Sequence, residues 1–510
     1  MKKLPIGIQE FSELISGGYL YVDKTKYIYS LLKNKYFFLS RPRRFGKSLL
    51  LNTIKEIHKG NKQLFEGLWI YDKIDWEEHP VIKLSFSSVD YAGIGLANAI
   101  ENMLIKIAKK HAISLKQPTF SLKFEELIEK LSIKSKVVIL IDEYDKPIID
   151  YIDNIPQAEE NRKILKNFYS VIKDSDSYIE FFFITGVSKF SQVSIFSDLN
   201  NLNDITLNRK YATMLGYTQE ELEHYFSGYI KELGDYYKDV YDDILKQIKH
   251  NYNGYSWDGK HFVYNPFSVL NLFDNMKFGD YWFRTGTPTF LMQMLKQNQY
   301  TIFDIKKRTI SENVLDKYDI TAITLLPLLF QTGYLTIKNY DLRTRNITLD
   351  FPNAEVESSF DIHLLAELND GKIDKASSLL IEITNNLESD NLERFIENIN
   401  ILFKGISYVI VDNKEKYFHS IFYIIVKLLG FTIDTEIMTI DGRIDAVITT
   451  KDNIYIIEFK VNQDANTALQ QIKDKGYHKK YAAEGKPITL IGIDFDMKEK
   501  MIKEYLVEDV

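Results

Sequence analysis

The chain has 510 residues, 45% hydrophobic and 26% charged, which is ordinary for a globular protein and leaves room for two to four domains. It has no cysteine, which excludes disulfides and cysteine-ligated zinc; a net charge of −7 argues against indiscriminate coating of nucleic acid but not against a local basic groove. The start, Met1-Lys2-Lys3-Leu4-Pro5, leads into Gln9-Glu10 without an apolar signal core, and the longest apolar run, 421–425, is too short to cross a bilayer, so the expectation is a cytoplasmic protein with no membrane partner.

In chain order, the first feature is an apolar strand, Tyr36-Phe37-Phe38-Leu39. The loop Ser40-Arg41-Pro42-Arg43-Arg44-Phe45-Gly46-Lys47-Ser48 follows, then a helix from 49 to about 59. A strand, a loop ending Gly-Lys-Ser and a helix is the P-loop layout. Backbone N–H groups and the helix N-terminus cradle phosphates, lysine reaches the β- and γ-phosphates, and serine holds Mg²⁺. Gly46, Lys47, Ser48 and Arg44 are therefore the expected nucleotide contacts. The loop departs from the pattern at its start: Arg41 stands in for the first glycine, and Pro42 has no N–H to donate. Arg41, Arg43 and Arg44 bring positive charge that can compensate. A later apolar strand, Val137-Val138-Ile139-Leu140-Ile141, ends in Asp142-Glu143, where Asp142 would support Mg²⁺ and Glu143 would activate water. With strands around Val81-Ile82-Lys83-Leu84 and Phe181 to Thr185, strands and helices alternate over 1–212, which predicts a parallel sheet.

Thr218-Gln219-Glu220-Glu221 is a capping box and opens a helical stretch. Together with short strands around Tyr334-Leu335-Thr336-Ile337 it predicts a helical lid with a winged-helix element over 213–348. The run 349–352 reads as a linker, with connecting helices completing 349–405. In the final part, 406–510, Arg443-Ile444-Asp445-Ala446-Val447-Ile448 and Ile454-Tyr455-Ile456-Ile457-Glu458-Phe459-Lys460 read as two strands turning at Lys451-Asp452. That hairpin sets Asp445 across from Glu458, and the period of two puts Lys460 on the same face. Two carboxylates and an ammonium on one patch suit metal-dependent phosphodiester hydrolysis, with oxygen ligands for Mg²⁺ and a cation near the attacking water. A slip of one residue would send Asp445 to the other face. The alternative is a solvated charged sheet face, and it fits poorly with a strand whose other residues are strongly apolar.

The hairpin resembles the PD-(D/E)xK nuclease superfamily. Glu415-Lys416-Tyr417-Phe418-His419 opens an amphipathic helix before it, and Ala468-Leu469-Gln470-Gln471-Ile472 lies on a helix after it. The resemblance implies Asp445 and Glu458 as metal ligands, Lys460 as the catalytic lysine, Glu415 as an auxiliary acid and Gln471 as an orienting amide. Gly442-Arg443 stands where a Pro-Asp pair is common. The chain as a whole resembles a bacterial family that fuses an AAA-ATPase-like domain to a C-terminal PD-(D/E)xK nuclease domain. Its landmarks here are Tyr21-Val22-Asp23-Lys24-Thr25, the Arg-Pro loop, Asp142-Glu143-Tyr144-Asp145, Thr185-Gly186-Val187, Tyr264-Asn265-Pro266 and Thr332-Gly333-Tyr334-Leu335. Thr185 stands at the AAA-type sensor position. The resemblance implies an α/β protein: a P-loop parallel-sheet ATPase-like domain, a lid, and a restriction-endonuclease-like α/β domain. ATP and Mg²⁺ are the implied cofactors, with Ser48 and Asp142 at one metal and Asp445 and Glu458 at the other, and Glu143 catalytic in ATP turnover. The implied partner is nucleic acid, DNA ahead of RNA, and a homo-oligomer is compatible. Two rival classes are a sensor that binds ATP but hardly hydrolyses it, and a scaffold with both sites vestigial. The intact Glu143 opposes the first, and the intact Asp445, Glu458 and Lys460 oppose the second.

Overall fold

The computed structural model describes residues 1–189, 195–196, 199, 201–283, 291, 294–295, 300, 302–315, 324–368, 373–404, 415–429, 432–434, 445–482, 485–496 and 498–510. Of 303, 368, 373–376, 415–420, 432–434, 445, 477 and 480 it describes the backbone alone. The chain forms two compact units: Met1–Gly286 with Lys307–Val356, and Thr287–Lys306 with Glu357–Val510.

A parallel sheet organises the first unit. Its strands are β1 (Tyr36–Ser40), β2 (Val81–Ser85), β3 (Val137–Asp142), β4 (Ile179–Gly186) and β5 (Asn203–Asp204), in the order β2-β3-β4-β1-β5. Every residue of β1 and β3 is buried, as expected for a parallel sheet covered on both faces. Phe38, Ile139 and Ile184 from the sheet pack with Leu104, Phe124 and Phe168 from the helices Leu96–Lys110, Phe120–Leu131 and Ile155–Asp174. The alternation read over 1–212 is what the chain builds.

The capping box forms as expected. Glu221 N–H donates to the Thr218 hydroxyl at 3.2 Å, and Thr218 N–H donates to the Glu221 carboxylate at 2.9 Å, opening the helix Gln219–Tyr237. Lys24 reaches the same carboxylate at 2.5 Å and the Thr213 carbonyl at 2.9 Å. The helices Gln219–Tyr237, Tyr241–Tyr252 and Pro266–Asn275 share a core through Phe226, Ile248 and Leu272. An antiparallel sheet, β6 (Arg308–Ser311), β7 (Thr336–Asp341) and β8 (Asn346–Asp350), follows in the order β6-β8-β7. This sheet corrects the linker reading of 349–352. Leu349 pairs with both Arg308 and Ile337 and is fully buried, because Ile347 and Leu349 alternate inward along β8. The helices Ile373–Glu388 and Leu392–Lys404, read as connectors, belong to the C-terminal unit.

The second unit holds a mixed sheet of β9 (Thr432–Asp434), β10 (Asp445–Thr449), β11 (Ile454–Val461), β12 (Ile488–Asp496) and β13 (Met501–Asp509), in the order β13-β12-β11-β10-β9. Strands β11 and β12 are parallel, which requires a crossover, and the helix Ala465–Lys475 supplies it. Its Leu469 and Ile472 pack on Val447, Ile456 and Leu490. The helix Glu415–Leu428 covers the other face, with Phe422 against Phe459 at 4.2 Å between ring centroids. A brace fixes the far end of that helix. Lys427 bonds Glu357 at 2.7 Å and Asp361 at 2.5 Å, and Lys306 bonds Glu357 at 2.7 Å. Asp361 is fully buried, and burial pushes its carboxyl up to about 6 against the pull of Lys427. Lys427→Met should therefore strand a buried acid and destabilise this unit by about 3 kcal/mol, and chemical denaturation of the purified variant measures it. No described helix is long and apolar enough to cross a membrane.

Candidate functional site

In the C-terminal sheet the hairpin has the expected register, from Asp445 opposite Glu458 to Thr449 opposite Ile454. Cross-strand partners share a face, so positions 445 and 458 do, and Lys460, two residues on, joins them. Glu458 is fully buried, with Oε1 3.1 Å from Lys460 Nζ. Lys460, buried too, also donates to Gln471 Oε1. Gln471 comes from the crossover helix, whose N-terminus is capped by the Asp464 carboxylate accepting from Thr467 N–H at 2.6 Å. Glu458, Lys460 and Gln471 thus meet in one buried cluster. Glu458 Oε2 and Gln471 Nε2 are buried without a hydrogen-bond partner among the described residues. A buried carboxylate oxygen with unmet bonding capacity fits a hard cation, which takes oxygen ligands. Among the described residues no three His, Asp or Glu side chains cluster as a metal site. The side chains of Asp445 and Glu415 lie outside the described ones. By backbone, Asp445 begins β10 and Glu415 begins the helix Glu415–Leu428.

In the N-terminal unit, Ser48 Oγ donates to Asp142 Oδ2 at 2.6 Å, which joins the two residues expected to hold Mg²⁺. Asp142 Oδ1 is buried without a partner among the described residues, again a fit for a cation. The helix Lys47–His58 starts after Gly46, whose left-handed φ of +89° suits glycine, and no side chain caps it. Its first N–H groups have no intrahelical acceptor and can face an anion. Lys47 Nζ donates to the carbonyls of Arg41 and Pro42, each at 2.9 Å. Burial lowers the Lys47 pKa while Asp142 and Glu143 pull it back up. Glu143 follows β3 with φ +54°, uncommon for a residue other than glycine, and burial raises its carboxyl pKa against the pull of Lys47.

One sequence expectation around this loop needs correction. Arg41 does not offer charge to a phosphate. It is 1% exposed, lies 4.0 Å over the Trp257 ring, and donates to the carbonyls of Ser40 at 2.9 Å and Thr206 at 2.7 Å. Burial lowers its pKa to about 9. Of the three arginines, Arg43 and Arg44 remain exposed. Asp145, in the landmark after β3, does not face the loop's solvent side. It is buried and accepts from the Val187 N–H at 3.0 Å, the Ser188 N–H at 2.6 Å and the Ser188 hydroxyl at 2.7 Å, tying the end of β3 to the end of β4. A Cβ at Gly186 would come 2.5 Å from its Oδ1, so the glycine is there for close approach. Thr185 at the sensor position is buried, and its hydroxyl donates to the Leu39 carbonyl at 2.9 Å.

Sequence reasoning missed Glu355, one of several acids on the helix Ala354–Leu368, with nothing local to set it apart from Glu357 or Asp361. Its buried carboxylate accepts from Trp282 N–H and the Ser268 hydroxyl, each at 2.8 Å. Burial raises it from an ordinary 4.5 to about 8. The folded state therefore holds a proton that the unfolded chain releases, and this contribution to stability fades as pH rises from about 4.5 through about 8. Glu355→Gln should flatten that decline, so thermal midpoints at pH 6 and pH 8 should lie closer together in the variant than in the wild type.

A family model described as "Predicted AAA-ATPase" matches residues 5–196, and one described as "PD-(D/E)XK nuclease superfamily" matches residues 413–505. Over 528 aligned positions the chain is 37% identical to an uncharacterized protein in the vnfD 5' region of Azotobacter chroococcum mcd 1, covering 100% of the chain and 99% of that relative.

Proposed function

The chain belongs to the family that joins a predicted AAA-ATPase domain to a PD-(D/E)XK nuclease superfamily domain, and on that basis we propose that it is an ATP-binding, Mg²⁺-dependent nuclease acting on nucleic acid, DNA ahead of RNA, in the cytoplasm. The observation that carries this reading is the buried meeting of Glu458, Lys460 and Gln471 on the sheet face that position 445 shares. Mg²⁺ held by Asp445 and Glu458, when bound, would polarise the scissile phosphate and lower the pKa of an attacking water. Lys460 orients that water or stabilises the developing phosphate charge. Gln471 fixes the lysine's direction, and Glu458 offsets its charge. Glu415 would act as an auxiliary acid.

At the other site Gly46, Lys47, Ser48 and Arg44 bind the ATP phosphates, Ser48 and Asp142 hold the second Mg²⁺, and Glu143 activates water for slow turnover. The ATP site regulates cleavage. The test uses the purified full-length protein with labelled DNA and RNA, with and without Mg²⁺ and ATP. Mg²⁺-dependent cleavage that changes with ATP is expected. Cleavage of neither nucleic acid under any of these conditions would end the nuclease reading.

A further inference from the structure

Residues 41–45 occupy the stretch where a P-loop is usually rich in glycine, and each has a partner from the region read as the lid. Arg41 lies on the Trp257 ring at 4.0 Å. Pro42 packs against Gly333, where an added Cβ would sit 2.7 Å from Pro42 Cβ and where φ is +96°. The Arg43 carbonyl accepts from Trp282 Nε1–H at 3.2 Å. The Arg44 guanidinium lies 4.7 Å over Phe267. Phe45 is buried, with its ring edge-on to Tyr255 at 4.8 Å and to Trp257 at 5.4 Å. On the inner side, Lys47 ties down the carbonyls of Arg41 and Pro42. Trp282 is itself held, by the Glu355 carboxylate on its N–H and by Tyr334 at 5.4 Å.

A glycine loop takes up a phosphate-binding shape because its torsions are free, and it loses that freedom on binding. This loop has a proline, three buried side chains with that proline included, and five external partners, so its shape is set before any ligand arrives. We propose that Trp257 and Trp282 are positioning residues for the triphosphate: from outside the loop they hold its N–H groups and Lys47 in a binding-competent arrangement, replacing by packing what glycine torsions supply elsewhere. This rests on the reading of the loop as the ATP site. The gain is preorganisation, and its loss weakens binding without removing a contact to the ligand.

Trp282→Phe keeps an aromatic ring but removes the indole N–H bonded to the Arg43 carbonyl and part of the buried ring system, so it should weaken ATP–Mg²⁺ binding about fivefold in calorimetry, with a lowered thermal midpoint but a folded protein at the titration temperature. Trp257→Phe should act in the same direction. An optical readout is built in, since the chain has four tryptophans and these two flank the loop. ATP–Mg²⁺ should shift wild-type tryptophan emission, and the Trp282→Phe titration should shift at higher ATP concentrations. Wild-type affinity in folded Trp282→Phe overturns the inference, and that variant decides alone if Trp257→Phe does not fold. If the wild type itself binds no ATP, the nucleotide reading falls and this inference falls with it; binding that is equal in wild type and variants sinks this inference only.

Discussion

On the proposed mechanism, replacing Glu458 by Ala should reduce Mg²⁺-dependent cleavage by at least about a thousandfold, because it would remove both a proposed metal ligand and a partner of Lys460. Glu458 is buried against that ammonium, so the Ala variant also strands a buried charge and is expected to lose stability. Glu458→Gln separates the two effects. Its amide oxygen can still accept from Lys460, the shape is kept, and the negative charge at the metal is gone. A Gln variant with a wild-type melting curve and no cleavage points to metal binding, whereas a Gln variant as active as wild type, with contaminating nuclease excluded, sinks the assignment. Asp445→Ala should behave as Glu458→Ala does on cleavage. Gln471→Ala is expected to be milder, on the order of ten- to a hundredfold, because Gln471 directs Lys460 without standing at the phosphate.

The second large effect lies in the nucleotide loop. Lys47→Ala should weaken ATP binding about a hundredfold, since charge-assisted bonds to phosphate are lost and the loop carbonyls of Arg41 and Pro42 lose their inner tie. Glu143→Gln should leave binding intact and slow ATP turnover by roughly two to four orders of magnitude, because Gln cannot take the proton of the attacking water. The raised pKa of Glu143 has burial as its main cause, and the bound phosphate charge would push it further the same way. Turnover should therefore fall as the solution is made acidic and this carboxylate is protonated. Calorimetry with ATP and Mg²⁺ checks the first claim and phosphate release the second. Wild-type protein that shows no heat at millimolar nucleotide, with or without nucleic acid, would refute the ATP half of the reading.

The sequence by itself determined the features that depend on period and on short-range turn chemistry. The β10–β11 register followed from two short strands and the turn between them, and a one-residue slip would have put position 445 on the face opposite Glu458. The capping box at Thr218 and Glu221, the buried β1 and β3, and a helix after the Arg-Pro loop, read from 49 and observed from Lys47, are local in the same sense. What became of the charged groups was decided by tertiary structure. Arg41 looks like a phosphate contact until Trp257, far along the chain, covers it and the Thr206 carbonyl takes its donors. Asp145 is buried because β4 lines up beside β3 and brings the N–H groups of Val187 and Ser188 to it. Leu349 looked like the start of a linker because the pairing that buries it comes from β6 and β7. A polar side chain takes whichever partner the packed elements bring to it, and burial raises the cost of having none. Which distant elements stack there cannot be read from its immediate neighbours.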